Sequence, residues 1–515
     1  LSIAYHPTAT FDQSFTKPAI IIYNSEQIEN LDEAERAINL FEWGGYTLPV
    51  IGNKADETNL CGWKPDKNGI YYKKTKSGSW LIPVDIFLNV FYHLSRYEER
   101  WRHFTDETAT DFSTSILSRY QELKVPVVDV LIDYFDEIIR ARIRYDKKIA
   151  VRVLRWPGGE EMGVALTHDV DITRGVHLST KLKKKAEGYF QRFLGNKQAL
   201  ELINEEMSNK DAQNWNFPEL MNFYKSMGWR ATFFFLAKTM EGSHYRYNIS
   251  TKKYRKLFDQ LKSAGHEIAL HPSKFAFDKP KYYREEKRKL ELISAEKIEG
   301  MRQHFLRAKF PRLWVFAEKA SLSYDSSLGY NYQSGFRAGT SHPFITYDVF
   351  EDKPQSLTEF SLHLFEYNLP ESGEKIQKSK EIISELIHEV SRFNGLMVSL
   401  FHPSNYLRQP YQELWEYLHE ELKKKKIYIA TLKEHLQWQR RRERINISVG
   451  YPKNKQPEIE ITFPEGQHQI AVEFIGAVEP SICKDVKIGK IRSGCYLLST
   501  KKIHMAISLK KKDRQ

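Results

Sequence analysis

Residues 163–171 read GVALTHDVD, a buried-looking apolar run that ends in Thr167-His168-Asp169-Val170-Asp171. A short apolar stretch bounded by polar residues predicts a strand covered on both faces. The same pattern returns downstream as ATFFFLA (231–237), HEIALH (266–271), LHLFEYNL (362–369), GLMVSLFH (395–402) and IYIATL (427–432). Helical spacing falls between these runs. Tyr254, Leu257, Phe258 and Leu261 follow i, i+3, i+4, i+7, and Ile382, Ile383, Leu386, Ile387 and Val390 share one face. Strands alternating with amphipathic helices predict an α/β unit with parallel pairing, in a barrel or an open sheet, over about 156–445. Function then belongs at the C-terminal ends of the strands.

Outward from this block the chain changes character twice. Residues 1–155 mix strand candidates such as AIIIYN (19–24) with helical patterns, and predict an accessory α/β domain. DEAERAINLFEW (32–43) has helical spacing. VDIFLNVFYHLSRYEER (84–100) predicts a helix that buries Ile86, Val90, Phe91 and Leu94. Residues 446–515 alternate polar and apolar positions between Gly and Pro turns, which predicts a small antiparallel β unit, sandwich-like in form.

The 515 residues are 41% hydrophobic, 28% charged and 13% aromatic, so disorder of the whole chain and a disulfide-stapled mini-fold are both excluded. No unbroken apolar run reaches membrane-spanning length. The net charge of +12 favours acidic partners without choosing among them. The basic runs, Lys183–Lys185, Lys423–Lys426, Arg440–Arg442 and Lys510–Lys512, read as solvated faces or tails. They lie in different regions and accompany no motif for reading bases or phosphates, so no nucleic-acid partner is expected. Cys61, Cys483 and Cys495 lack metal-ligand spacing and fit a reducing compartment. LSIA at the start is followed at once by His6 and Asp12, which is not a signal-peptide pattern. The expected location is cytoplasmic, with a targeting segment removed ahead of Leu1 left open. Oligomeric state is not legible.

The polar residues at the strand ends carry the chemistry. Asp169 and Asp171 form a carboxylate pair that is costly to desolvate without a cation or a proton; a turn with a helix cap is the plain alternative. His271 and His402 each close an apolar strand and each open a His-Pro-Ser tripeptide. Either alone reads as a structural histidine, whereas two at the ends of one parallel sheet do not. GMRQHFLR (300–307) adds Arg302 and His304. Together these are the parts of a metal-assisted hydrolase: metal ligands, a base for water and an acid for the leaving group.

The ordered set resembles the NodB-homology polysaccharide deacetylases, carbohydrate esterase family 4, over roughly 160–440. The set is Thr-x-Asp-x-Asp, then GHEIALH, then Gly-x-Arg, then YDSSLG (324–329), then a strand-terminal His, with RATFFFLA (230–237) as the second strand. The helix at 85–100 ahead of such a domain is similar to the N-terminal region of a bacterial subgroup. The resemblance implies a (β/α) barrel-like fold, a divalent metal of the Zn²⁺ type, and removal of N-acetyl groups from a polysaccharide or glycan precursor. It implies Asp169 as general base, Asp171 and His271 as metal ligands, Arg302 as the partner of Asp169, and His402 as the acid that protonates the leaving amine.

Two departures qualify the resemblance. The family pattern His-x-x-x-His has Phe275 at its second histidine, and Arg-x-Pro reads Arg302-Gln303-His304 here. His304 is then a relocated third ligand, a histidine lining the substrate groove, or a sign that metal binding is lost. His168 stands where an aromatic residue is usual and is read as a supporting partner of the site. GFRAGTSHPF (335–344) offers Arg337 and His342: Arg337 holds substrate or orients a carboxylate, or the segment is a surface loop with an ion pair. Trp314 and Tyr324 stack on sugar rings or belong to the core. The competing reading for the whole protein is a catalytically inactive relative that binds carbohydrate or acts as a scaffold.

Overall fold

A computed structural model of the chain describes residues 2–6, 19–23, 38–51, 72–74, 78–82, 84–101, 116–119, 123–173, 214–238, 247–369, 375–451, 456–464, 469–476, 478–481, 483, 485–502 and 504–511. Its centre is a ten-stranded sheet built from β1 (Met162–Val170), β2 (Ala231–Leu236), β3 (Glu267–His271), β4 (Gly300–Met301), β5 (Tyr324–Asp325), β6 (Phe344–Asp348), β7 (Lys353–Glu359), β8 (Leu364–Phe365), β9 (Leu396–Leu400) and β10 (Ile427–Ile429). The spatial order is β6-β7-β5-β4-β3-β2-β1-β9-β8, with β10 also paired to β1. Every pairing is parallel except β6 against β7. The sheet curls into an open half-barrel, the barrel-like parallel α/β fold expected from the alternation.

β1 is the keystone. One edge pairs with β9, and the other pairs with β10 along its N-terminal half and with β2 along its C-terminal half. All nine of its residues are buried, which is why the run reads as apolar rather than alternating. Side-chain parity then decides what each residue faces. Val164 and Leu166 pack into the helix-covered core with Phe233, Phe235 and Leu270. Ala165, Phe234, Ala269 and Val398 pack on the opposite, inner side. Thr167, Asp169 and His271 share the inner parity; His168 shares the outer one.

Four strands, β4 to β7, were not legible as strands; β6, FITYD, begins at the end of the segment read as a loop. β4 and β5 are two residues long, and β7, KPQSLTE, is largely polar. A two-residue strand buried among longer neighbours leaves no periodic signal.

The N-terminal region differs from two expectations. Ile38–Trp43 is a strand, not part of a helix, and pairs antiparallel with Tyr46–Ile51 across Gly44-Gly45. Both glycines have positive φ (59° and 90°), the requirement of a tight hairpin turn; residues 32–37 of that reading lie outside the described residues. The helix Ile86–Leu94 forms, but its buried face is Ile86, Asn89, Tyr92 and His93, and Phe91 is 38% exposed. The polar Asn89 turns inward because its side chain bonds both the N–H (2.7 Å) and the carbonyl (2.8 Å) of Ile51 at the end of the hairpin.

The C-terminal residues form two four-stranded sheets, antiparallel throughout. Ala150–Val153, which precedes β1 in sequence, supplies one of their strands. Among the described residues no helix is long and apolar enough to cross a membrane.

Candidate active site

The strand ends bring Asp169, Asp171, His271, Arg302, His304 and His402 to one place. Asp169 is the penultimate residue of β1 and Asp171 lies just beyond it. His271 closes β3, Arg302 follows β4, and His402 follows β9. His304 opens a single 3₁₀ turn, His304–Leu306, in which Phe305 and Leu306 take left-handed angles (φ 62° and 51°). Such angles persist in L-residues only where the surroundings hold them. Here the Phe305 ring stacks on His304 (4.0 Å, 17°), and the His304 N–H donates to Pro272 O (3.2 Å).

Asp171 is the hub. Its Oδ1 lies 3.2 Å from His271 Nε2, and its Oδ2 lies 3.4 Å from both His304 Nε2 and His402 Nε2. Burial works against its charge, but the surrounding His304, His271 and His402 hold its carboxyl well below the usual range. Burial likewise disfavours a charged His271, yet Asp169 and Asp171 raise its pKa above the ordinary histidine value.

Asp171, His271 and His304 offer ligand atoms within 4.8 Å of one another, all on buried residues. Asp171 Oδ1 and His271 Nε2 have no hydrogen-bond partner among the described residues. Buried polar atoms left in that state normally have a bound group or water to satisfy them. His271 Nδ1–H donates to Arg302 O (2.5 Å), which fixes the ring and directs Nε2 at Asp171. One carboxylate and two imidazoles form a donor set that fits Zn²⁺ and leaves coordination positions open. A cation there would compete with the proton that His271 otherwise keeps.

Asp169, 4% exposed, is held by Arg302, which is fully buried. Arg302 Nη1 donates to Asp169 Oδ1 (3.0 Å) and Thr167 Oγ1 (2.6 Å); Nε and Nη2 donate to Ser326 O (2.9 Å) and Oγ (2.8 Å). Its plane lies 4.5 Å over the Phe234 ring. The second Asp169 oxygen faces His271 Nε2 at 3.7 Å.

His402 is oriented by a residue that sequence reasoning missed. Glu366 Oε1 accepts from His402 Nδ1 (2.7 Å), from the His402 backbone N–H (2.9 Å) and from Asn405 Nδ2 (2.7 Å). Tyr367 stacks on the imidazole (4.9 Å, 24°). Burial opposes charge on His402, but Tyr367, Asp171 and Glu366 push its pKa well above the usual value. The available signal was a lone carboxylate inside LHLFEYNL, which was read through as strand; the strand stops at Phe365 and Glu366 begins a 3₁₀ turn.

The remaining candidates divide. Phe275, at the position of the family's second histidine, is 39% exposed; His304 supplies a second imidazole from the next strand end. His168 faces the outer core, bonds Phe401 O (2.7 Å) and Tyr224 OH (2.6 Å), and is pushed by burial down to about 3. It supports Phe401, the residue before His402. Arg337 does not lie on a surface loop: it is 1% exposed, and its ion pair is a buried one with Glu99. His342 sits beside Thr340, and burial lowers its pKa well below normal. Trp314 and Tyr324 are core residues bonded to Glu359 and Glu267.

Residues 2–144 match a family model described as a family of unknown function, DUF7033. No curated protein matches the chain. Among solved structures it is similar to a protein assigned as a polysaccharide deacetylase from Mycobacterium smegmatis, at 17% identity, covering 59% of this chain and 98% of that one, TM-score 0.39. It is similar to the Puue allantoinase at 12% identity, covering 55% and 92%, TM-score 0.38. It is also similar to a carbohydrate esterase family 4 pseudoenzyme from Bacillus anthracis at 13% identity, covering 54% and 66%, TM-score 0.28. The chain resembles the NodB-homology deacetylases.

Proposed function

We propose that the protein is a metal-dependent hydrolase that removes N-acetyl groups from a polysaccharide or glycan precursor. The observation that carries this reading is the buried Asp171–His271–His304 cluster, flanked by an Arg302-held Asp169 and a Glu366-held His402. When bound by the cluster, a divalent cation such as Zn²⁺ supplies polarisation of the amide carbonyl and a nucleophilic water at neutral pH. The chain's own groups handle the protons. Asp169 is paired with and aimed by Arg302, so its other oxygen is available to accept a proton. His402, kept charged by its neighbours, delivers a proton to the departing nitrogen. Glu366 fixes which ring nitrogen does so, because Nδ1 is already engaged.

One feature favours a second reading, an inactive glycan-binding relative. Asp171 Oδ2 is approached equally by His304 and His402, an arrangement that ion pairing alone could satisfy. Metal stoichiometry and acetate release separate the two. The hydrolase reading expects one divalent ion per chain and acetate released from chitin-type or peptidoglycan-type fragments. Asp169→Asn should lower turnover by roughly 10²–10⁴ with metal retained, whereas His304→Ala should lose metal. A chain that binds no divalent ion and releases no acetate is the inactive relative.

A further inference from the structure

We propose that Glu99, contributed by the N-terminal region, is a positioning residue for the Asp169–Arg302 pair and acts through Arg337. The proposal rests on the hydrolase reading only for its kinetic consequence.

Glu99 lies on the short helix Tyr97–Trp101. Its two oxygens accept from Arg337 Nη2 (2.8 Å) and Nε (3.2 Å). Arg96 braces the same carboxylate through Nε (2.9 Å) and Nη2 (2.7 Å), and its Nη1 donates to the carbonyl of Arg337 itself (2.7 Å). The N-terminal region thus grips Arg337 by side chain and backbone together. Arg96 does this from a left-handed backbone angle (φ 54°), which L-residues hold only under constraint.

Arg337 then reaches the two segments that build the site. Nη1 donates to Gly329 O (2.9 Å), at the end of the Ser326–Gly329 turn. That turn starts with Ser326, whose carbonyl and hydroxyl hold the Arg302 guanidinium, and continues with Ser327, whose hydroxyl accepts the Gln303 N–H (2.8 Å). The guanidinium of Arg337 also lies 5.1 Å over the ring of Phe310, beyond the His304 turn. The turn is packed without slack: a Cβ at Gly329 would come within 2.9 Å of Leu362 Cβ. A displacement of Arg337 would therefore be passed to Ser326 and Gln303, and so to the residues on either side of the reacting groups. Every residue in the chain of contacts is buried, so a displaced polar group has no water to turn to.

The test uses the full-length, zinc-loaded protein with Glu99→Gln, the charge-keeping variants Glu99→Asp and Arg337→Lys, and Arg140→Gln as a control. Arg140 also joins the N-terminal region to another part of the chain, pairing with Glu473 (2.8 Å), but has no bond into 300–306 or 324–330. Backbone amide exchange is followed at 300–306 and 324–330, alongside kcat and KM for acetate release. The expected result for Glu99→Gln is ~10-fold or faster exchange in both segments, and kcat lowered ~10-fold or more with KM within about twofold. Glu99→Asp should recover part of both, and Arg140→Gln should change neither. Unchanged exchange at 300–306 in Glu99→Gln, or an equal change in Arg140→Gln, overturns the proposal. If Glu99→Gln does not fold, Glu99→Asp and Arg337→Lys decide: faster exchange confined to the two segments supports positioning, and exchange equal to the unmodified protein refutes it. If the unmodified protein releases no acetate, the hydrolase reading fails by itself and the exchange comparison still decides the role of Glu99.

Discussion

Arg302→Met removes the charge that faces Asp169 while keeping the aliphatic length that packs on Phe234. Neither Arg302 nor Asp169 has meaningful access to water, so the orphaned carboxylate cannot be rescued by hydration. Removing one partner of a buried ion pair typically costs about 3–5 kcal/mol, because the other charge is left uncompensated. Ser326 loses two donors at the same time, each a charge-assisted bond. Asp169→Asn in the same chain takes away the uncompensated charge. The double variant should therefore recover about 2–3 kcal/mol relative to the sum of the single changes, the scale expected for a buried network. Metal-free protein in chelator is the right material, since a cation beside Asp169 would mask the lost arginine. A chain with several cores need not unfold in one step. Local stability from amide exchange in β1 and β3 is therefore the better measurement. A coupling below about 0.5 kcal/mol, the level found between independent sites, would refute the view that Arg302 and Asp169 stabilise the site as a pair.

Two further outcomes follow from named contacts. Glu366→Gln keeps an oxygen for all three of its donors but removes the charge behind His402, so turnover should fall roughly 10–100-fold with metal affinity unchanged; equal turnover would remove Glu366 from the proton path. Glu267 accepts from Tyr324, Thr232 and Lys433 N–H, and burial pushes its carboxyl up to about 7. Because the folded pKa lies above the unfolded one, the folded state binds the proton more tightly, and stability falls as pH rises from about 4.5 to about 7. Glu267→Gln, in which the Tyr324 hydroxyl can turn to accept, should abolish on the order of 3 kcal/mol of that loss; thermal melts at pH 5 and pH 8 that change in parallel with the unmodified protein would contradict it.

The sequence alone carried the parallel α/β unit and most of the site, because both are written in local patterns; the choice of a barrel over an open sheet rested on the family resemblance. A strand covered on both faces must be an apolar run, and a reactive group at its end must interrupt that run; GVALTHDVD, HEIALHPS and LMVSLFHPS do both, so Asp169, Asp171, His271 and His402 are legible in the sequence itself. Parity within GVALTHD puts Asp169 and His168 on opposite faces, but the packing of the folded sheet decides which face lines the site. Tertiary structure alone decided what depends on distance between remote segments. His304 was one of three open readings until a 3₁₀ turn with two left-handed residues set its Nε2 3.4 Å from Asp171, the same distance as that of His402. Glu366 looked like one more strand residue until the strand stopped one position short of it. Arg337 looked like a loop cation until Glu99, 238 positions earlier in the chain, met it in the interior. A buried charge takes its meaning from its partner, and partners this far apart in sequence leave no spacing to read.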